Sequence, residues 1–117
     1  MNRDIKFRAW DEVSEKMLNW NEFLDTNMKN TFIAPESTGL ILMQYTGLHD
    51  KNGKEIYEGD IVKYENMTGK IMFFNGSFIL SDLEETEEWE LGVINEDIEV
   101  IGNIYDNPEL LGGEDGI

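Results

Sequence analysis

Residues 43–64 read Met-Gln-Tyr-Thr-Gly-Leu-His-Asp-Lys-Asn-Gly-Lys-Glu-Ile-Tyr-Glu-Gly-Asp-Ile-Val-Lys-Tyr, and they constrain the fold more than any other part of the chain. Apolar residues come in short runs separated by turn formers, so no window is long enough for a helix to bury one continuous face. Asp50-Lys51-Asn52-Gly53 and Glu58-Gly59-Asp60 are turn signals, each with a glycine free to take positive φ. Further on, residues 70–74 and 77–80 flank Asn75-Gly76, the pair best suited to a type I′ hairpin because both central residues need φ above zero. Several short strands at close spacing predict a small closed or nearly closed β-barrel rather than alternating strands and helices.

Ile5, Phe7 and Ala9 alternate with Lys6 and Arg8, the period-two pattern of a half-buried strand that Trp10 closes. Residues 11–16 form a turn, and residues 17–20 suit the returning strand of a hairpin. Weak helical character follows over residues 21–30 through Phe23, Leu24 and Met28, and Pro35 and Gly39 mark residues 31–39 as a loop. After the strand at 60–65, residues 66–69 turn the chain. An acidic connection over residues 81–88 leads to a short strand at 89–93. Ile98, Val100 and Ile104 belong to a last strand, with Gly102 at a bulge or close approach. Asn107 and Pro108 fit the N-cap and first position of a one-turn helix that Gly112-Gly113 ends. The expected organisation is a single domain over residues 1–117. Residues 1–39 form an extension packed on a barrel core at 40–111, and residues 112–117 form a frayed tail.

Charge is divided unevenly. Residues 1–70 carry nine Lys and Arg against twelve Asp and Glu, a net of −3, whereas residues 71–117 carry thirteen Asp and Glu and no basic residue, a net of −13. Such a surface repels phosphate backbones, which are bound by Lys and Arg that displace counterions, and it repels anionic membranes. A basic protein partner is compatible with it. Cysteine is absent, which excludes disulfides, thiolate nucleophiles and Cys-based metal sites. The opening residues carry no apolar leader pattern, and the longest apolar runs, 40–43 and 71–74, are too short to cross a bilayer, so a soluble cytoplasmic protein is expected.

Candidate chemistry is sparse. His49, the single histidine, stands beside Asp50 and could form part of an acid–base pair, but the plain reading is an exposed turn. Residues 50–53 hint at a calcium loop and fail the EF-hand pattern, with glycine at the fourth rather than the sixth position. Asp82, Glu84, Glu85, Glu87, Glu88 and Glu90 place six carboxylates in nine residues around Trp89. That run can bind a cation, dock a basic partner or imitate a phosphate backbone, against the plain reading of a solvated loop. Trp89 within it is either a core anchor or a contact residue. Tyr45, Tyr57, Tyr64, Phe73, Phe74 and Phe78 would make a base-stacking platform only beside a basic groove, for which Arg3, Lys6, Arg8, Lys63 and Lys70 are the available cations. No catalytic, cofactor or metal residue is assigned.

Beyond residues 43–64, two further motifs carry a resemblance. The opening Ile5-Lys6-Phe7-Arg8-Ala9-Trp10-Asp11 and the closing Ile98-Glu99-Val100-Ile101-Gly102-Asn103-Ile104-Tyr105-Asp106-Asn107-Pro108-Glu109-Leu110-Leu111, with the central block, are similar to the YopX family of phage and prophage proteins. Residues 21–39 and 81–95 are least like it. The resemblance implies an SH3-like barrel core, which agrees with the mainly β reading of a barrel over about residues 40–106 with an N-terminal hairpin and helical extension and a short C-terminal helical turn. It also implies a phage or prophage gene expressed inside a bacterium, and it supplies no catalytic residue. The expected function is a non-enzymatic module that binds a protein partner, a basic one or a second copy of itself, without nucleic acid, membrane or cofactor. Trp89, Glu84, Glu85, Glu87, Glu88, Trp10 and Trp20 are the candidate interaction residues. The alternatives are an acidic nucleic-acid mimic that inhibits a DNA-binding enzyme and a metal-assisted hydrolase.

Overall fold

Among the described residues, alternation of apolar residues yields nine strands, with helical turns where that alternation lapses. A computed structural model describes residues 4–112. Arg3 and the tail expected to fray beyond Gly112 lie outside the described residues. The chain divides into two compact units, Met1–Tyr45 and Thr46–Ile117.

In the first unit β1 (Phe7–Asp11) pairs antiparallel with β2 (Lys16–Leu18) and with the first half of β3 (Leu40–His49). The strand starts two residues later than the pattern suggested. Ile5 is exposed ahead of it, and Trp10 lies within it, opposite Met17 and Ile41. Asp11 shapes the turn that follows. Its Oδ1 accepts from the Val13 N–H at 2.9 Å and the Ser14 N–H at 3.3 Å. The Val13 bond first, then the Ser14 bond, hold its carboxyl below the usual range.

Residues 17–20 do not all form the returning strand. Asn19 and Glu22 make a reciprocal capping box, each side chain accepting the other's backbone N–H at 2.8 Å, so α1 (Trp20–Leu24) starts at Trp20. Asn27 caps α2 (Met28–Ile33), which takes Thr31, Phe32 and Ile33 out of the expected loop. A 3-10 turn, Pro35–Ser37, completes that segment. Ala9, Phe23 and Leu40 form the buried centre, with Phe7, Leu18, Trp20, Met28 and Leu42 packed against it.

The second unit carries the mainly β, small-barrel fold that the alternation implied. Its strands are β4 (Glu55–Tyr57), next to the end of β3, then β5 (Asp60–Tyr64), β6 (Met67–Phe74), β7 (Ser77–Asp82), β8 (Glu88–Glu90) and β9 (Ile98–Asn103). The last five form an antiparallel sheet in the order β8-β7-β6-β5-β9. Ile56, Val62, Ile71, Leu80, Leu91, Ile94, Ile98 and Val100 make its core. At the β6–β7 hairpin Asn75 and Gly76 take φ of 52° and 84°, the two positive values that a type I′ turn requires.

The structure departs from three local expectations. The turn expected over 66–69 is confined to Glu65 and Asn66, with Glu65 at φ 55°, and Gly69 is a buried strand residue. A Cβ on Gly69 would stand 2.5 Å from the Ser81 carbonyl oxygen and 2.6 Å from Leu80 Cδ1, so the neighbouring strand lies too close for any side chain there. The strand expected at 89–93 stops at Glu90. Leu91 and Ile94, three residues apart, then bury one face of the short helix α3 (Leu91–Ile94). Ile104 lies past the end of β9, its N–H donating to the Gly59 carbonyl at 2.9 Å.

Gly102 combines both features expected of it. Ile61 faces Gly102 while Val62 faces Val100, which leaves Ile101 as the extra residue of a bulge. A Cβ on Gly102 would meet Asn107 Oδ1 at 2.5 Å. That oxygen accepts from the Asn103 N–H at 3.1 Å instead of capping the 3-10 turn Pro108–Leu110.

Asp50 joins the turn after β3 to the edge strand β9. Its Oδ1 accepts from the Asn52 and Lys54 N–H groups at 2.8 and 2.9 Å, and its Oδ2 from the Val100 N–H at 2.9 Å. Beside it the Lys51 N–H donates to the Ile98 carbonyl at 3.0 Å, and Asn95 Nδ2 donates to the His49 carbonyl at 2.7 Å. Asp50 is 5% exposed. Burial pushes its carboxyl up, but the Val100, Lys54 and Asn52 N–H groups and the Lys54 charge together outweigh burial, and the net result lies below the ordinary value.

A folded-state value below the unfolded one means that the stabilisation is complete above about pH 4, the unfolded Asp value, and is lost as pH falls through the folded value. Asp50→Asn should destabilise the protein by about 1–3 kcal/mol at pH 7 and flatten the acid limb of its stability curve, as measured by urea unfolding between neutral and acidic pH. Unchanged neutral stability would contradict this. Gly69→Ala should cost about 1–3 kcal/mol through the Ser81 clash. Gly76→Ala, with open space around its Cβ, should cost only about 1 kcal/mol through its positive φ.

Candidate functional site on the acidic hairpin

The acidic run folds as the hairpin of β7 and β8. Asp82, at the end of β7, organises its loop. Oδ1 accepts from the Thr86 and Glu87 N–H groups at 2.7 and 3.0 Å, and Oδ2 from the Thr86 hydroxyl at 2.5 Å. The Thr86 hydroxyl foremost, then the Glu87 N–H, hold this carboxyl below its ordinary value. The Asp82 N–H donates to the Glu87 carbonyl at 3.1 Å, and Glu85 takes φ of 60° to complete the turn.

Two more carboxylates of the run are committed within the fold. Glu85 Oε2 lies 2.7 Å from Lys70 Nζ on β6. Glu90 Oε2 accepts from the Ser77 hydroxyl at 2.9 Å. Glu84, Glu87 and Glu88 are exposed. The run is therefore a structured turn in which exposed Glu85 and Glu90 are also held by Lys70 and Ser77, rather than a uniform brush of charge. Among the described residues no three His, Asp or Glu side chains are grouped so that they could hold a metal ion.

Trp89 faces Leu80 across the hairpin and is half-buried. It packs against the core and makes a near-perpendicular contact with Tyr64, ring centroids 5.7 Å apart. An open groove of about 380 Å³ runs past this pair, lined by Tyr64, Glu65, Asn66, Met67, Glu87 and Trp89. A second open depression, of about 480 Å³, shares Asn66, Met67 and Glu87 with it and continues over Thr68, Asp82, Leu83, Glu84 and Thr86. One side is aromatic and the other acidic.

Of the residues singled out by sequence, Trp89, Glu84 and Glu87 line this face, Glu88 stands next to Trp89 in the same strand, and Glu85 is paired to Lys70. Trp10 and Trp20 belong to the first unit. Trp20 is half-buried and packs between Phe7 and Phe23 with centroids 6.4 and 6.3 Å away, against the core, and Trp10 is half-buried on β1.

His49 is exposed, and both carboxylate oxygens of Asp50 are taken by backbone N–H groups. Tyr57 is buried, Phe73 stacks edge-on against Phe78, and Tyr45 lies under Lys6, so the aromatics make no shared platform. Lys63, on β5, faces Thr68 and Glu99. The groove residues absent from the sequence reading are Glu65, Asn66 and Met67. They lie at the turn after β5, and only the pairing β5-β6-β7-β8 brings that turn beside Trp89.

Asp82→Ala should speed amide exchange at Thr86 and Glu87 while leaving exchange in the β5–β6 core unchanged, a pattern read residue by residue by NMR. Uniform loss of protection would show that the loop is coupled to the whole unit.

Comparison with known proteins bears on the fold and lineage of this site. The family model described as YopX protein matches residues 6–112. The chain is similar to the crystal structure of protein EF1440 from Enterococcus faecalis, at 29% identity over 94% of this chain and 99% of that one, with a TM-score of 0.65. It is also similar to the X-ray structure of protein yopX from Bacillus subtilis, at 25% identity over 96% and 98% of the two chains, with a TM-score of 0.60. A search of curated proteins gave no match. Among the described residues no helix is long and apolar enough to cross a membrane.

Proposed function

The chain belongs to the YopX family, and on that footing we propose that it is a phage or prophage accessory protein that acts in the bacterial cytoplasm by binding another protein, without catalysis or cofactor. The observation that carries this reading is the face built by β8 and its loop. Glu84, Glu87 and Glu88 are exposed around a half-buried Trp89, which is held in place by Tyr64 rather than left free. A rigid aromatic beside solvated carboxylates is the kind of anchor that protein interfaces use, because little side-chain freedom is lost on contact.

The internal bonding of Asp82, Glu85 and Glu90 favours the same conclusion. Carboxylates engaged by a threonine, a lysine and a serine hold the loop in one shape, and Glu84, Glu87 and Glu88 are presented from that frame. A second reading, a nucleic-acid mimic that occupies a basic groove on an enzyme, is favoured by the absence of any basic residue after Lys70. The two differ in salt response, since a purely electrostatic mimic is weakened far more by salt than an interface with an apolar centre.

The immobilised protein should retain a partner from a bacterial lysate, and replacing Glu84, Glu85, Glu87 and Glu88 by Gln should release it. Retention through about 0.5 M salt supports the aromatic-centred interface, and collapse well below that supports the mimic. A protein that is monomeric by light scattering and retains nothing, or retains the same material after the four replacements, refutes the proposal.

A further inference from the structure

Resting on the protein-binding reading, we propose that the groove between the β5–β6 turn and β8 is a receptor for arginine, and that the partner docks through an extended segment carrying at least two basic residues. The aromatic side supplies Tyr64 and Trp89 with Glu65 and Glu87 in the same lining, and Met67 for an aliphatic stem. A guanidinium fits that combination. It stacks on aromatic rings, is only weakly hydrated, and meets carboxylates with its planar fork, whereas an ammonium keeps its water and lacks the stacking face.

The adjoining depression, with Asp82, Glu84, Thr86 and Glu87, takes a second cation. Asp82 is spent on the loop backbone, so Glu84 and Glu87 supply the charge there. Both depressions share Asn66, Met67 and Glu87, so one continuous segment reaches both.

Charge selects this occupant over a second copy of the chain. Nine basic residues against 25 acidic ones leave little to answer an acidic groove, and Lys70 in the same unit is already paired with Glu85. The aromatic floor also separates the proposal from a mere acidic surface, which would hold lysine and arginine equally.

The experiment compares two fluorescein-labelled peptides of equal charge, arginine alternating with glycine and serine against the same peptide with lysine, by anisotropy at about 0.15 M salt with the full-length protein. The arginine peptide should bind about fivefold or more tightly than its lysine counterpart. Trp89→Phe, which keeps an aromatic in the core, should narrow that preference, and Glu65→Gln with Glu87→Gln should weaken both peptides. Glu96→Gln, outside the groove, should change neither. In NMR titration the Trp89 indole and Met67 signals should shift, with Phe73 and Phe74 unmoved.

Equal affinity for the two peptides, shifts spread over the whole acidic surface, or no binding of either overturns the arginine receptor. If the lysate partner is still lost with the four-Gln variant, such a result refutes the groove alone. If no carboxylate-dependent partner exists either, both readings fall.

Discussion

One buried carboxylate holds the second unit in register. Asp50 leaves the end of β3 and accepts three backbone N–H groups, two from its own turn and one from Val100 on the edge strand β9. An edge strand with an unanswered N–H row is open to solvent or to another chain. Here the answer comes from a side chain fifty residues earlier. The Lys51–Ile98 and Asn95–His49 bonds flank it, so the turn, α3 and β9 are tied together at one place. The arrangement depends on an ionised group in a buried position, which is tolerable because three donors replace its water.

That closure fixes β9 against β5, and β5 then sets the position of everything toward β8. Val62 faces Gly69, Gly69 faces Asp82, and the close approach of the Ser81 carbonyl demands glycine at that point. Asp82 can therefore end its strand where its carboxylate reaches back over Thr86 and Glu87. The acidic loop takes its shape from the sheet below it, not from its own charge. Trp89 is positioned by the same chain of pairings, opposite Leu80 and against Tyr64.

Much of this was legible in the residues. The Asn75-Gly76 hairpin, the turns at 50–53 and 58–60, the opening hairpin and the bulge near Gly102 follow from local rules, and the structure contains them. Misreadings arose where a local signal has two meanings. Gly69 looks like a turn former, but it is a strand residue under a neighbouring carbonyl. Asn107 looks like an N-cap, yet its oxygen goes to Asn103. Residues 89–93 carry β-forming residues, but the spacing of Leu91 and Ile94 on the core makes them the start of a helix. For the candidate site, the carboxylates and Trp89 were visible as composition, while the bonding of Asp82, Glu85 and Glu90 to Thr86, Lys70 and Ser77 was not.

Sequence by itself determined the mainly β character, the turns, the lack of thiol chemistry and the acidity of the second half, because each is a property of neighbouring residues or of bulk composition. Tertiary structure alone decided that the Asp50 carboxylate ties its own turn to β9 through three backbone N–H groups. It likewise decided that Trp20 packs against the core between Phe7 and Phe23, and that Trp89 meets Tyr64, Glu65 and Met67 in a groove. Those are contacts between residues far apart in the chain, and their energies depend on strand register and desolvation, which no local pattern encodes.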